Sequence, residues 1–346
     1  MKVNSPEGIF ISGIGAVSPA GWGVAPFREA LGGGAIPTRE LARPGWEEPL
    51  RIRQVPAPSP RPAFLAHARL RRTSPIAHYA VAAALEALGA EDAARCSAGG
   101  LRLGVVYCAM SGCVNYSRRF FDEVLKDPAT ASPLVFPETV YNSPASHLAA
   151  LLGTAAINYT LVGDPGTFLQ GIALGADWLA AGRLDGCLVA GAEEIDWLAA
   201  DAMRLFSPET IMSDGAGALY LKPGPDRAGA VRLRSITNPH LFGPRQSRAQ
   251  AARRARSEAS AGGPRHLLCD SRLGLKRADR AEEAAWFDWP GPRLSPRTVF
   301  GEGLMSGAAW QCVAAVDGLQ QSRYDAATVS VVGCNQQAIA AEFVRE

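Results

Sequence analysis

Short apolar runs alternate along this chain with segments of helical periodicity, which predicts strands followed by helices. The clearest case begins at residues 157–162, a run rich in β-branched and aromatic side chains that predicts a strand. The sequence Gly-Asp-Pro-Gly at 163–166 is a turn signal. Apolar residues then recur at helical spacing up to Gly182, and the apolar run at 187–190 predicts a buried strand.

A strand that enters a helix through a tight turn is a common way for an enzyme to hold its nucleophile. The N–H groups and the dipole at the start of a helix favour negative charge there. The predicted turn has this architecture, but it contains Asp164, Pro165 and Gly166, where such a turn usually provides Cys or Ser. We interpret residues 157–194 as the segment around which the chain is organised.

The rest of the chain continues the alternation of strands and helices. Strands are predicted at the start of 8–23 and at 103–108, 215–221, 231–237, 266–269 and 328–332. Helices are predicted at 26–31, 74–89, 116–126, 145–152, 245–259, 279–287 and in the segment that ends at 319. Residues 32–75 are rich in Pro and Arg and predict an irregular, exposed connection. This order indicates an α/β protein with largely parallel, buried sheets.

Composition sets the size of the core and removes several classes of function. The 346 residues are 47% hydrophobic and 20% charged, which predicts a large core in two domains or two fused halves. A net charge of +2 gives no argument for a nucleic-acid or membrane partner. The chain has no run of 18 apolar residues and no signal-peptide pattern at 1–6, so we expect no membrane span.

Cysteine and glycine usage gives no indication of a metal or cofactor. The seven cysteines are scattered and odd in number, which favours reduced, buried thiols in a cytoplasmic protein. No CxxC, no HExxH and no other metal-ligand spacing occurs. Gly13 and Gly15 follow a predicted strand, but the third glycine of the dinucleotide fingerprint is missing. We therefore expect neither a metal nor a cofactor.

Four segments, taken in order, resemble the β-ketoacyl synthases. They are 11–21 (ISGIGAVSPAG), 142–147 (NSPASH), 176–193 (ADWLAAGRLDGCLVAGAE) and 214–218 (DGAGA). The resemblance covers nearly the whole chain and implies a thiolase-like fold. Such a fold has two pseudo-equivalent halves, here expected at 1–222 and 223–346, in a five-layered α-β-α-β-α architecture.

The resemblance also implies where the catalytic residues of the family fall on this chain. These synthases use a Cys at the helix start, two His residues and a supporting Lys. The Cys position falls on Pro165, the first His on Ser271, the Lys on Arg297 and the second His on Glu302. The C-terminal loop that contributes an oxyanion-hole amide begins at Gly333.

These replacements predict that the chain does not carry out the condensation alone. No acyl-enzyme forms without a thiolate, and Pro165 has no backbone N–H to donate to an oxyanion. The carboxylate of Glu302 has the wrong charge to stabilise a developing enolate. The resemblance therefore implies a chain-length-factor-type partner of an active ketosynthase, in polyketide, aryl-polyene or fatty-acid-like synthesis. The implied dimer, mixed or of two identical chains, uses the apolar segments 136–152 and 157–161.

Two other hypotheses stay open. Glu302, Ser271 and Asp164 can converge in the cavity that holds the catalytic residues in the synthase family. There they could carry out altered acyl-thioester chemistry, such as acyl transfer or hydrolysis. Arg297 and Glu302 can equally form an ion pair that only fills space. A basic helix can dock an acidic acyl carrier protein, although it can also be a solvated surface helix. The arginines of that helix segment are Arg245, Arg248, Arg253, Arg254 and Arg256. Nucleic-acid binding is not expected, because no aromatic residues are interspersed among these arginines.

Overall fold

The computed structural model describes Val3–Asn4 and residues 8–33 and 36–346. The strands of the described residues are β1 (Val3–Asn4), β2 (Ile9–Ser18), β3 (Gly21–Trp22), β4 (Arg39–Leu41), β5 (Leu50–Arg53), β6 (Leu103–Ala109), β7 (Asn158–Val162), β8 (Gly186–Glu193), β9 (Met212–Ser213), β10 (Gly215–Pro223), β11 (Val231–Ile236), β12 (His240–Leu241), β13 (His266–Cys269), β14 (Arg293–Leu294), β15 (Ala326–Val332) and β16 (Gln337–Arg345). The helices are α1 (Val24–Leu31), α2 (Pro75–Ser97), α3 (Val114–Lys126), α4 (Ser143–Leu152), α5 (Thr167–Ala180), α6 (Trp197–Phe206), α7 (Arg248–Glu258), α8 (Lys276–Ala285), α9 (Pro296–Phe300) and α10 (Met305–Gln320).

Two five-stranded sets of strands repeat one topology. The first set has the order β2-β10-β8-β6-β7 and the second the order β11-β16-β15-β13-β14. In each set the second strand is antiparallel to both neighbours, and the remaining two ladders are parallel. The sets are joined where β11 pairs with β2, with Val231 opposite Ile11.

The helices complete a five-layered arrangement. α5 and α10 pack against strands of both sets and therefore form the central layer. α2 and α4 cover the outer face of the first set, α7 packs on β16 and β15 of the second set, and α8 packs against α7. Residues 305–319 of α10 are all buried, as expected for a helix enclosed on every side. The structure thus confirms the thiolase-like, five-layered fold, while the division at residue 222 stays a prediction.

The expectation of largely parallel sheets is wrong. β10 and β16 each lie between two neighbours and run antiparallel to both, so half of the ladders in each set are antiparallel. Both strands are buried along most of their length. A strand buried on both faces is a continuous apolar run in either direction, so hydrophobicity alone does not reveal its orientation.

The expectation that 32–75 is an irregular, exposed connection is wrong in part, and residues 34 and 35 lie outside the described residues. β4 pairs with β5, and β5 pairs with β9 to form a separate three-stranded sheet. Leu50, Ile52 and Val55 are buried, and two 3₁₀ turns follow at Ala63–Ala66 and Ala68–Leu70. The strands are short, and the partner of β5 lies far along the chain, so their pairing leaves little local signal.

Several helix boundaries differ from the prediction. α2 continues past Gly89, which has a φ of 73° and kinks the helix, as far as Ser97. α8 begins at Lys276, before the predicted start, and α6 was not predicted. α7 begins close to its prediction because Ser247 and Gln250 form a capping box at its start.

Candidate functional site

The turn between β7 and α5 forms where the sequence predicts it. Its backbone closes on itself, because Thr167 N donates to Asp164 O at 2.8 Å and Phe168 N donates to Pro165 O at 3.2 Å. α5 therefore starts directly after the Asp164-Pro165-Gly166 sequence. The side chains of this turn stand at the N-terminus of a 14-residue helix in the central layer.

The carboxylate of Asp164 accepts four hydrogen bonds at this helix start. Asp164 Oδ1 accepts from Gly166 N and from Gln337 Nε2, both at 3.1 Å. Asp164 Oδ2 accepts from the backbone N–H groups of Gln336 and Gln337, both also at 3.1 Å. The side chain is buried, which raises the pKa of Asp164, while these hydrogen bonds oppose the rise. The helix start is thus occupied by an anion that the chain itself provides.

The C-terminal loop is packed directly against this carboxylate. A Cβ atom added to Gly333 would lie 1.9 Å from Asp164 Oδ2, so only glycine fits there without a shift. The amide of Gln337 also contacts Thr167 Oγ1 at 3.4 Å and Gln170 Oε1 at 3.3 Å. Sequence reasoning missed Gln337, although a polar residue at the start of a buried strand is a usable signal.

Arg297 and Glu302 form a buried ion pair after α9. Arg297 Nη2 contacts Glu302 Oε2, and each side chain is 4% exposed. The other carboxylate oxygen of Glu302 accepts from Leu304 N at 2.8 Å. Burial lowers the pKa of Arg297 to about 10, and the nearby Glu282 carboxylate opposes this shift. The pair is therefore a fixed internal contact rather than a pair of solvated groups.

Ser271 is held by a different set of partners. Its Oγ donates to Glu282 Oε2 at 2.6 Å and accepts from Val332 N at 3.1 Å. The second oxygen of Glu282 accepts from Ser330 Oγ at 2.5 Å. Burial raises the pKa of Glu282 to about 7, and the negative charge of Asp270 adds to this rise. Ser271 and Glu302 thus have no hydrogen-bond partner in common.

Cys334 lies close enough to Asp164 and Arg297 for their charges to shift the pKa of its thiol. It is the exposed one of the seven cysteines, and its sulfur lies 3.9 Å from Met110 Sδ. Partial desolvation and the charge of Asp164 raise the pKa of the Cys334 thiol, whereas Arg297 and Arg248 oppose the rise. The structure therefore gathers Asp164 and Arg297 around the C-terminal loop, while Ser271 contacts that region through Val332.

The arginines of the basic helix segment divide into two groups. Arg245, Arg253 and Arg254 are exposed and line a shallow groove. Arg248 points inward, since its guanidinium donates to the carbonyl oxygens of Gly333, Val332 and Ala278 at 2.8–3.0 Å. Arg256 lies over the rings of Trp286 and Trp289, at 4.9 and 5.5 Å from their centroids.

A family comparison decides the identity of this scaffold. The sequence model described as "Beta-ketoacyl synthase, N-terminal domain" matches residues 7–226, which is more than half of the chain. The chain belongs to the β-ketoacyl synthase family. A comparison with curated proteins finds no match.

Solved structures of ketosynthases share the fold of this β-ketoacyl synthase family member. "The ishigamide ketosynthase/chain length factor" is similar with a TM-score of 0.78 and 20% identity, over 98% of this chain and 99% of that chain. A ketosynthase (ApeO) in complex with its chain length factor (ApeC) from Xenorhabdus doucetiae has a TM-score of 0.75 and 15% identity, over 98% of each chain. A type II PKS acyl-carrier protein in complex with its ketosynthase (AntDE:AntF) has a TM-score of 0.76 and 14% identity, over 97% of this chain and 99% of that chain.

The described part of this ketosynthase-like chain offers no metal site and no spanning helix. Across residues 8–33 and 36–346, no group of three or more His, Cys, Asp or Glu residues could hold a metal ion. The same part of the chain contains no helix that is both long and apolar enough to cross a bilayer.

Proposed function

We propose that this chain is a catalytically degenerate ketosynthase-like subunit that partners an active ketosynthase, as a chain-length factor does. One observation carries the proposal. At the helix start where the family places its nucleophile, the chain has Pro165 beside a buried Asp164 carboxylate that already accepts from Gly166, Gln336 and Gln337.

This arrangement opposes an acyl-enzyme mechanism in two ways. The turn residues Asp164, Pro165 and Gly166 offer no thiol or hydroxyl group to attack a thioester. A single donor to an oxyanion is worth about 2.7–4 kcal/mol of transition-state stabilisation, and here the N–H groups nearest the turn are occupied by a carboxylate. A developing oxyanion would also be repelled by that carboxylate.

The second half of the family's site supports the same proposal. Glu302 replaces a neutral or positive imidazole by a carboxylate, and its ion pair with Arg297 is buried. An enolate that formed beside Glu302 would meet like charge, and Arg297 is already committed to Glu302. We therefore propose that this pair fills the family's catalytic cavity and holds its walls in place.

An edge strand gives the partner a place to bind. β7 ends the sheet order and pairs with β6 on one side. Tyr159 and Val162 on this strand are 52% and 54% exposed, and Phe136, in the predicted interface segment 136–152, is 55% exposed. An edge strand with exposed apolar side chains favours addition of a strand from another chain. The similar structures that are ketosynthase/chain length factor assemblies support an active ketosynthase as that chain.

An acidic acyl carrier protein is the second partner in this proposal. Arg245, Arg253 and Arg254 are exposed around one groove on α7 and can attract acidic side chains. Arg248 and Arg256 support this surface from inside, because their guanidinium groups are engaged within the chain.

Co-expression with the active ketosynthase encoded nearest to this chain tests the partnership. We expect a stable 1:1 complex by size-exclusion chromatography with light scattering. Val162→Asp places a charge on the edge strand and should abolish the complex, whereas Leu241→Asp, at a strand residue that is 60% exposed elsewhere, should retain it. A wild-type chain that stays separate from the ketosynthase would defeat the proposal.

One observation favours a second candidate, an enzyme with altered acyl-thioester chemistry. The hydroxyl of Ser271 donates to Glu282, whose pKa of about 7 is suited to a general base. Hydrolysis of an acyl thioester by the purified chain alone would favour this candidate. Loss of that hydrolysis in Ser271→Ala or Glu302→Gln would then place the activity in the family's catalytic cavity. If the purified chain does not hydrolyse an acyl thioester, the partner role is supported.

A further inference from the structure

A polar cavity lies beside β9, and two of its lining residues, Ile211 and Met212, pair with Glu302 through the backbone. It has a volume of about 250 Å³ and is formed by the segment before β5, by α6 and by the residues leading into β9. Its charged lining residues are Arg43, Arg51, Arg204, Glu48 and Glu209. The volume is slightly below the roughly 300 Å³ at which pockets for drug-sized ligands begin, so this cavity suits a small ligand.

Arg43 is the most unusual of the lining residues. Its side chain is 6% exposed, yet it carries a full positive charge. Arg43 Nη2 pairs with Asp201 at 2.8 Å, and the guanidinium lies 3.7 Å from the ring centroid of Trp46. Its Nε atom is buried and has no hydrogen-bond partner. A buried charged donor without a partner is costly, so an acceptor that reached Arg43 Nε would be favoured there.

The three arginines that line this cavity have one carboxylate partner between them among the described residues. Arg43 and Arg204 both pair with the single carboxylate of Asp201, at 2.8 and 3.4 Å. Arg51 donates to the neutral hydroxyl of Thr38 at 3.2 Å. Glu48 and Glu209 also line the cavity and, with Asp201, balance the three arginines in formal charge, but neither glutamate forms an ion pair with them.

We propose that this cavity binds the phosphoryl group of a small molecule. Guanidinium groups match the oxygens of a phosphoryl group with paired N–H donors, and three of them line this cavity. A phosphoryl group has several oxygens, which can accept from more than one of these guanidinium groups at once. A single carboxylate offers one charge and two oxygens.

The test is equilibrium binding of inorganic phosphate to the purified full chain at constant ionic strength, by calorimetry. Because each charge-assisted hydrogen bond is worth a factor of about ten or more in affinity, Arg204→Gln should weaken binding at least about tenfold. Arg51→Gln should also weaken binding. Arg51 is exposed, so this substitution disturbs folding less than one at a buried arginine. Arg227→Gln changes charge equally at an exposed residue outside the cavity and should leave affinity unchanged.

The outcomes separate this proposal from the partner role, since the chain is measured alone. Sulfate should compete with phosphate, and acetate should not. Trp46, which is 62% exposed and stacked on Arg43, should report binding through its fluorescence, and Trp46→Phe should remove that signal while phosphate still binds. The absence of saturable phosphate binding by the folded wild-type chain, or equal losses in Arg204→Gln and Arg227→Gln, would overturn the proposal.

Discussion

Asp164 Oδ2 occupies the space beside Gly333 so closely that a Cβ atom at Gly333 would lie 1.9 Å from it. The contact joins the turn before α5 to the loop before β16, two segments that are 169 residues apart in sequence (333 − 164). Because Gln336 and Gln337 donate their backbone N–H groups to the same carboxylate, the loop and the turn form one unit. That unit is the basis for the proposal that this chain does not condense acyl groups on its own.

Substitution at Gly333 should therefore lower the free energy of unfolding, and the loss should depend on the presence of Asp164. Gly333→Ala is expected to lower the free energy of unfolding by about 1–3 kcal/mol, as for overpacking elsewhere, in chemical denaturation. Gly243→Ala is the matched control, because a Cβ atom there meets nothing within 4 Å. In the double variant with Asp164→Ala, the added cost of Gly333→Ala should largely disappear. Strict additivity of the two changes would contradict the described contact.

The buried ion pair predicts a strongly asymmetric mutational response. Arg297→Met leaves the carboxylate of Glu302 buried without its partner and should cost about 3–5 kcal/mol in the free energy of unfolding. Arg297→Met with Glu302→Leu removes both charges and should recover much of that loss. A double-mutant cycle by urea denaturation measures the coupling, and a coupling energy near zero would show that the two side chains are independent.

Two arginines on α7 should differ in their effect on stability. Arg248→Gln removes donors to the carbonyl oxygens of Gly333, Val332 and Ala278, and should destabilise the chain by about 1–3 kcal/mol. Arg253→Gln changes an exposed residue on the same helix and should shift stability by no more than about 0.5 kcal/mol. Thermal unfolding of the two variants side by side checks this, and equal shifts would contradict the inward position of Arg248.

Buried carboxyl groups predict that stability falls as pH rises. Burial raises the pKa of Glu193 from 4.5 to about 8, although the N–H groups of Met110 and Ser111 oppose the rise. The folded state then binds its proton more tightly than the unfolded state, so stability is lost between about pH 4.5 and 8. One such group contributes a slope of at most about 1.4 kcal/mol per pH unit. Asp214 and Glu282, each with a pKa raised to about 7, act in the same direction.

Glu193→Gln should reduce that slope in urea denaturation measured from pH 5 to 8. Glu91→Gln, at an exposed position on α2, is the control and should leave the slope as in the wild-type chain. A slope unchanged by Glu193→Gln would show that Glu193 binds its proton no more tightly when folded.

Local chemistry explains which parts of this structure the sequence predicts. The turn at 163–166 and the start of α7 depend on nearby Gly, Pro and Ser residues, so both are predicted close to where they occur. The pairing of β5 with β9 and the antiparallel direction of β10 depend on contacts between distant segments. Contacts between distant segments do not produce a local hydrophobic periodicity, so the sequence alone does not predict them.

The candidate site divides in the same way. The resemblance predicts that the family's catalytic positions fall on Pro165, Ser271 and Glu302, from the order and spacing of the motifs, and these positions stay a prediction. It does not show that Asp164 accepts N–H groups from a loop near the C-terminus, since that contact exists only after folding. It also does not distinguish the inward Arg248 from its exposed neighbours, because an arginine has a long stem that can turn either way.

The most direct test of the partner role is to find which chain carries the acyl group. The purified chain, the active ketosynthase and their complex should each be incubated with an acyl thioester and analysed by intact-protein mass spectrometry. We predict an acyl adduct on the ketosynthase, alone or in the complex, and an unmodified mass for this chain in every sample. A stoichiometric acyl adduct on this chain, or a condensation product formed by this chain alone, would contradict the account.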